Sequence, residues 1–100
     1  MKNFVKVVNL KETAGERAPG GKSWIDFWRD NCADSDQFDE ICCCQGCNGL
    51  AEHGAHVSLH GVGILFSLLE YIVPLCAGCN NPENTDPFDV PENFLVLIPS

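Results

Sequence analysis

The feature that most constrains this chain is a pair of short cysteine motifs, Cys44-x-x-Cys47 and Cys76-x-x-Cys79, separated by 28 residues. Zn²⁺ binds four soft ligands in a tetrahedron, and a two-residue gap allows one tight turn to direct two sulfurs at one ion. A 100-residue chain builds only a modest core, so a metal would supply useful stability. The spacing therefore predicts a structural zinc site formed by Cys44, Cys47, Cys76 and Cys79, with buried free thiols or a redox pair as alternatives.

Two of the three other cysteines are possible replacements for one of these ligands. Cys42 and Cys43 immediately precede Cys44, and either could replace it across a wider gap to Cys47. Cys32 stands alone and is expected to be a small core residue.

Three histidines, His53, His56 and His60, lie between the two cysteine motifs. We expect them at the surface or in turns, because Gly54 and Gly61 make a shared helical face improbable. The alternatives are a second metal site built from these histidines, or His56 as a zinc ligand in place of one cysteine.

The charge is distributed unevenly along the chain. All six basic residues lie in residues 1–29, where three acids reduce the net charge to +3. Residues 30–100 hold the other eleven acids and no lysine or arginine, for a net charge of -11. Non-specific nucleic-acid binding requires cations that displace phosphate counterions, so this segment argues against it. An acidic surface favours solubility or a basic protein partner.

The sequence also predicts the cellular setting. Residues 1–10 lack the apolar core of a signal peptide. The longest apolar stretch, residues 62–76, contains Ser67, Glu70 and Pro74 and is shorter than the ~20 residues of a membrane span. We therefore expect no membrane association and a cytoplasmic location, where clustered cysteines are metal ligands more often than disulfides.

Local patterns predict an α+β fold in one domain, residues 1–100. Ser23 is a candidate helix N-cap, followed by a helix over residues 24–33 with Trp24, Phe27 and Trp28 on one face. We expect strands over residues 4–8, 55–59 and 64–73, a loop over 11–22, and a hairpin turn near 60–63. Pro74 should end the third strand, and a last strand over 93–98 is expected to pair with the first. These elements divide the domain into an N-terminal strand and helix (1–41), a zinc-binding core (42–84) and a C-terminal strand (85–100).

Two segments, Gly54-Ala55-His56-Val57 and residues 71–80 (YIVPLCAGCN), resemble the HNH nuclease family and the treble-clef zinc finger on which it is built. The resemblance covers residues 44–84. It implies that Cys44, Cys47, Cys76 and Cys79 bind zinc and that His56 corresponds to the general base. The position of the asparagine that orients this base is Tyr71 here. The last catalytic-metal ligand has only these candidates, interrupted by Pro82: Asn80, Asn81 and Asn84.

The resemblance therefore matches in its zinc-binding half and departs from the family in its catalytic half. The basic residues that hold phosphates in the family are absent after the second motif. We expect a non-catalytic zinc-binding protein whose acidic surface contacts a protein partner. The alternatives are a metal-dependent HNH-type endonuclease with His56 as general base, and nucleic-acid binding through the basic N-terminal segment.

Overall fold

The computed structural model describes residues 3–10, 18–61, 69–81 and 86–98. Within these residues the chain forms one α-helix and a five-stranded antiparallel sheet with the order β4-β1-β2-β3-β5. The strands are β1 (Phe4–Asn9), β2 (His53–Leu59), β3 (Tyr71–Leu75), β4 (Phe88–Pro91) and β5 (Val96–Leu97). The predicted α+β class is confirmed, and so are the strands expected at residues 4–8 and 55–59.

The helix α1 (Trp24–Asn31) begins where the capping signal predicts. The Ser23 hydroxyl accepts a hydrogen bond from the Asp26 backbone N–H at 3.3 Å, which satisfies one of the unpaired amides of the first turn. The helix packs on β2 and β3 and approaches closely at Gly54. A Cβ atom at this glycine would lie 2.4 Å from the Trp24 carbonyl carbon, so only glycine fits there.

An aromatic cluster fixes α1 to the C-terminal part of the chain. Trp28 is fully buried, and its ring meets Phe38 and Phe94 edge-to-face at centroid distances of 4.9 and 5.5 Å. The Trp28 Nε1–H donates to the Phe94 carbonyl oxygen at 2.6 Å. The indole therefore buries a large apolar area while its polar group is satisfied.

The prediction that Pro74 ends a strand is wrong, because Pro74 lies within β3 opposite Gly54. Its carbonyl oxygen accepts the Cys43 N–H at 3.0 Å, from the side away from β2. The proline nitrogen faces the same side, and β5 pairs only with Tyr71 and Ile72. No ladder hydrogen bond is lost there, so this edge position tolerates proline.

The C-terminal prediction is also corrected. A 3₁₀ turn, Glu92–Phe94, replaces the first part of the strand expected over residues 93–98. Of the four residues that follow the turn, only Val96 and Leu97 form β5, which pairs with β3 rather than with β1. The second neighbour of β1 is β4. Prolines and acidic residues, which are uncommon in strands, lie within and beside β4, so its sequence does not predict a strand.

Several expectations fall wholly or partly outside the described residues. They concern the loop at residues 11–17, the hairpin turn beyond Gly61, the strand over residues 64–68 and Asn84. Leu69 and Glu70 are described and precede β3 without belonging to it.

Candidate metal centre

The first cysteine segment leads out of a short bridge between Ile41 and Leu50. The Cys42 N–H donates to the Gly49 carbonyl oxygen at 2.8 Å, and the Cys47 N–H donates to the Cys44 carbonyl oxygen at 3.0 Å. Gly46 provides the turn with a φ of 86°, a conformation that glycine adopts without strain. The loop thereby brings the sulfurs of its first and last cysteines, Cys42 and Cys47, close together.

The second segment follows directly from β3, which delivers Cys76 immediately after the buried Leu75. The chain then makes a turn in which the Asn80 N–H donates to the Cys76 carbonyl oxygen at 3.0 Å. The Cys79 N–H points to the Cys76 sulfur at 3.4 Å. Backbone amides aimed at a sulfur stabilise its thiolate form.

Four sulfurs from these two segments, those of Cys42, Cys47, Cys76 and Cys79, lie within 4.8 Å of one another. The Cys47 and Cys76 sulfurs are 3.7 Å apart. A tetrahedral thiolate site with metal–sulfur bonds of about 2.3 Å requires sulfur separations of roughly 3.8 Å. The four cysteines therefore fit the coordination of a metal ion with little rearrangement.

This group contains Cys47, Cys76 and Cys79 as the spacing indicates, but its fourth member is Cys42 and not Cys44. The gap from Cys42 to Cys47 is four residues, still within the range of metal-binding loops. The two-residue spacing favours Cys44, whereas the bridge at Ile41 and Leu50 positions Cys42 so that its sulfur lies within the four-sulfur group.

Burial and hydrogen bonds give three thiols of the group different pKa values. Burial opposes ionisation of Cys76, but hydrogen bonds from the Cys79 N–H and from neighbouring thiols lower its pKa to about 7. Burial raises the pKa of Cys42 to about 11, and burial together with the Cys76 and Cys42 thiols raises the pKa of Cys79. Cys76 is therefore the most readily ionised of these three thiols, and Cys42 and Cys79 must lose their protons when a cation binds.

Three hydrogen bonds attach the cysteine segments to three different strands. The Cys43 N–H donates to Pro74 in β3, and the Gln45 N–H donates to the Asp89 carbonyl oxygen in β4 at 2.9 Å. The Asn9 side-chain amide in β1 donates to the Cys79 carbonyl oxygen at 2.7 Å. No local sequence signal identifies these contacts, because they join residues far apart in the chain.

The histidines do not form a metal-binding group within the described residues. His56 lies in β2, is only 7% exposed, and meets the Trp24 ring edge-to-face at 4.5 Å. The expectation of a surface or turn position is therefore wrong for His56, while His53 and His60 are exposed. His53 and Asn80 line a small cavity of about 130 Å³ beside the start of α1.

The remaining cysteines differ in their environment. Cys32 is buried at the end of α1, as expected for a core residue, and its thiol donates to the Asn93 carbonyl oxygen at 3.5 Å. Cys43 is buried in the hydrophobic core. Cys44 is half-buried at the margin of the four-sulfur group.

Comparisons with known proteins give no relative: no protein-family model, no curated protein and no solved structure matches this chain. Among the described residues, no helix has the length and apolar character needed to cross a membrane.

Proposed function

We propose that this chain is a small zinc-stabilised, non-catalytic protein-interaction module with an acidic surface. The observation that carries the proposal is the convergence of four cysteine sulfurs from two segments that are attached to the sheet. Soft thiolates in a compact four-sulfur group favour Zn²⁺, which prefers tetrahedral coordination and closes structural sites. Zinc would hold together a region that has few large apolar side chains.

An HNH-like treble clef is supported by the order of the elements. A cysteine loop precedes the antiparallel pair β2 and β3, and the second cysteine pair follows β3 directly. His56 lies in the middle of the first strand of this pair, whereas the general base of the family ends that strand. We propose common architecture with this family, without its chemistry.

The burial of His56 favours a non-catalytic protein over the nuclease alternative. A general base must reach a water molecule or a substrate proton, and His56 is covered by the Trp24 ring. The surrounding segment, residues 30–100, has no cation to hold a phosphate backbone. A tetrathiolate zinc site would add a further charge of about -2.

The acidic surface supports a cationic partner. Three basic residues, Lys6, Lys22 and Arg29, already pair with acids. Many acids of residues 30–100 nevertheless remain exposed, among them Asp36, Asp39, Glu52 and Glu92. Their summed potential attracts positive charge at low ionic strength and is screened by salt.

Metal analysis tests the structural part of the proposal. Native mass spectrometry should give about one Zn²⁺ per chain, lost on acid denaturation together with the folded charge-state distribution. A chain that folds identically in excess chelator and retains no zinc would contradict it.

A second experiment tests the interaction. A lysine-rich peptide should bind with an affinity that falls as salt rises, and a glutamate-rich peptide of equal length should not bind. The variant Asp36→Asn/Glu92→Gln should weaken binding, whereas Lys6→Gln should not. Equal binding of both peptides, or no binding, would reject the acidic surface as the interaction site.

The nuclease alternative is tested with supercoiled plasmid and Mg²⁺ or Mn²⁺. We expect no cleavage above the background of the His56→Ala variant. The exposed His60→Ala substitution is the matched control. Cleavage that is lost in His56→Ala and kept in His60→Ala would establish the alternative.

A further inference from the structure

Two sulfurs of the four-sulfur group come from different cysteine segments and lie in contact. Cys47 belongs to the loop before β2, Cys76 follows β3, and their sulfurs are 3.7 Å apart. A disulfide bond is about 2.05 Å long, so these sulfurs would have to approach by roughly 1.7 Å, a distance within the reach of side-chain rotation. The separation that suits a shared metal ion therefore also suits a covalent bond.

Gly49 packs against both members of this pair. Its carbonyl oxygen accepts the Cys42 N–H at 2.8 Å, which fixes the position of this glycine in the loop. A Cβ atom at Gly49 would lie 3.5 Å from the Cys76 sulfur and 3.7 Å from the Cys47 sulfur. Both sulfurs therefore lie beside the same backbone position, and their contact is a consequence of how the two segments fold.

The environment of Cys76 suits it to react first with an oxidant. The Cys79 N–H points to the Cys76 sulfur at 3.4 Å, and an amide directed at a sulfur favours the nucleophilic thiolate form. Cys47 and Cys76 are both half-buried, whereas Cys42 is buried. A small oxidant can therefore reach Cys76, and Cys47 is the neighbouring thiol placed to form a bond between the two segments.

We propose that Cys47 and Cys76 form a disulfide when hydrogen peroxide oxidises the metal-free centre, and that this bond replaces the metal as the link between the two segments. The disulfide consumes two of the four metal ligands, so a bound ion and the disulfide exclude each other. The centre is then a metal site controlled by oxidation. The mutual exclusion rests on the zinc site of the proposed function, whereas the disulfide itself does not require it.

The oxidation is balanced by one molecule of peroxide. The Cys76 thiolate attacks a peroxide oxygen, a sulfur–oxygen bond forms as the oxygen–oxygen bond breaks, and the departing hydroxide takes up a proton. The Cys47 thiol then loses its proton and attacks the Cys76 sulfur, which forms the disulfide and releases the second oxygen as water. Each sulfur loses one electron, and the peroxide is reduced to two molecules of water. A dithiol reverses the bond by thiol–disulfide exchange.

Peptide mapping tests the pairing in the unmodified protein. The reduced, chelator-treated chain is exposed to equimolar hydrogen peroxide, its free thiols are blocked with N-ethylmaleimide, and it is cut with a protease specific for glutamate. This cleavage separates the two cysteine segments into peptides 41–52 and 71–83. The peptides should remain joined, and fragmentation should place the bond between Cys47 and Cys76. A bond within peptide 71–83, a bond from Cys44, or no disulfide would overturn the proposal.

Serine variants test the same bond. Cys47→Ser and Cys76→Ser should each greatly reduce the yield of joined peptides. Cys44→Ser is the matched control, because its thiol lies in the same loop but outside the four-sulfur group, and it should keep the full yield. An undiminished yield in Cys47→Ser would show that another cysteine pairs with Cys76 and would reject the assignment. If a variant does not fold, the map of the unmodified protein decides.

Metal content and urea unfolding test the replacement of one link by the other. The reduced protein should bind about one Zn²⁺ per chain, and the oxidised protein should bind none until dithiothreitol has reduced it and been removed. In the presence of chelator, the oxidised protein should unfold at a higher urea concentration than the reduced protein, because the disulfide constrains the unfolded chain. Equal unfolding midpoints, or equal zinc content in the oxidised protein, would contradict the replacement.

These outcomes separate the two proposals. A reduced protein that binds no zinc but forms the bond between Cys47 and Cys76 contradicts the proposed function and supports the disulfide. A reduced protein that binds zinc but forms no such bond with peroxide contradicts only the control by oxidation.

Discussion

Two regions of this molecule are held together by different physics. The aromatic cluster of Trp28, Phe38 and Phe94 joins α1 to the C-terminal turn through apolar contacts and one buried hydrogen bond. The cysteine centre of Cys42, Cys47, Cys76 and Cys79 joins two loops through sulfur contacts, and three of its four side chains are only half-buried. The cluster needs only its own side chains, whereas the proposed metal site would hold its two loops most firmly with a cation bound.

The difference determines how each region responds to solution conditions. Apolar burial is insensitive to pH and chelators, because no proton or ion takes part. Metal coordination depends on both, since thiolates must form before they bind. A perturbation of one region should therefore leave a signature that distinguishes it from the other.

The largest effect is expected when the aromatic cluster is broken by Trp28→Ala. Removing a fully buried indole leaves a large cavity and removes the hydrogen bond to the Phe94 carbonyl oxygen, at a cost of about 3–5 kcal/mol. Urea unfolding should show this loss with and without metal. Phe4→Ala, at a position 43% exposed, is the control and should have a much smaller effect. Full recovery of Trp28→Ala by metal would show that the two regions are not separate.

Removal of metal should have the next largest effect and should be confined to the cysteine centre. At a free-ion concentration a hundredfold above the dissociation constant, bound metal contributes about 2.7 kcal/mol to stability. Hydrogen exchange by mass spectrometry and NMR should then show faster exchange at the Cys43 and Gln45 amides after chelation. The Cys32 amide, which is bonded to the Trp28 carbonyl oxygen, should be much less affected. Equal acceleration at all three amides would contradict this division.

The pH dependence of metal affinity should follow from the proton distribution in the centre. The Cys42 pKa of about 11 and the raised pKa of Cys79 mean that both thiols are protonated near neutral pH and must lose protons on binding. Affinity should therefore fall as pH falls, by about a hundredfold per pH unit for the two protons of Cys42 and Cys79. The fall should steepen below pH of about 7, where Cys76 also takes up a proton. Calorimetric titrations in buffers of different ionisation enthalpy measure the released protons, and pH-independent affinity would refute the assignment.

The sequence predicts the aromatic region better than the cysteine centre, for a physical reason. The capping serine and the i, i+3, i+4 spacing of Trp24, Phe27 and Trp28 are local signals, and α1 appears where they indicate. The presence of Cys42 rather than Cys44 in the four-sulfur group depends on which residue the fold brings next to Cys76 and Cys79, residues far away in the chain. The same limitation explains why the sequence does not predict β4 or a strand that continues through Pro74. Pairing partners and edge positions are set by the whole sheet.

The smallest effect concerns the ion pair that links the two regions. Arg29 in α1 makes two hydrogen bonds to the Glu40 carboxylate, at 2.7 and 3.0 Å, and its guanidinium lies 5.1 Å from the centre of the Phe38 ring. Glu40 lies two residues before Cys42, with a φ of 66°, and its carbonyl oxygen accepts the Ala51 N–H. The pair therefore connects the helix to the start of the loop that carries Cys42 and Cys47.

Arg29→Met should slightly reduce both stability and metal affinity, because an exposed ion pair contributes little but here restrains a loop in an uncommon conformation. The hydrogen bonds from Arg29 lower the pKa of Glu40 below its ordinary value of 4.5. The stabilisation by the pair is therefore present above that pH and is lost as pH falls through the lower, folded-state pKa. Urea unfolding across this range should show the two proteins converging in acid. Lys22→Met, which breaks the exposed ion pair with Asp30 without touching the loop, is the control and should leave metal affinity unchanged. If both variants weaken metal binding equally, the effect of Arg29 is one of overall charge and the two regions are not coupled through Glu40.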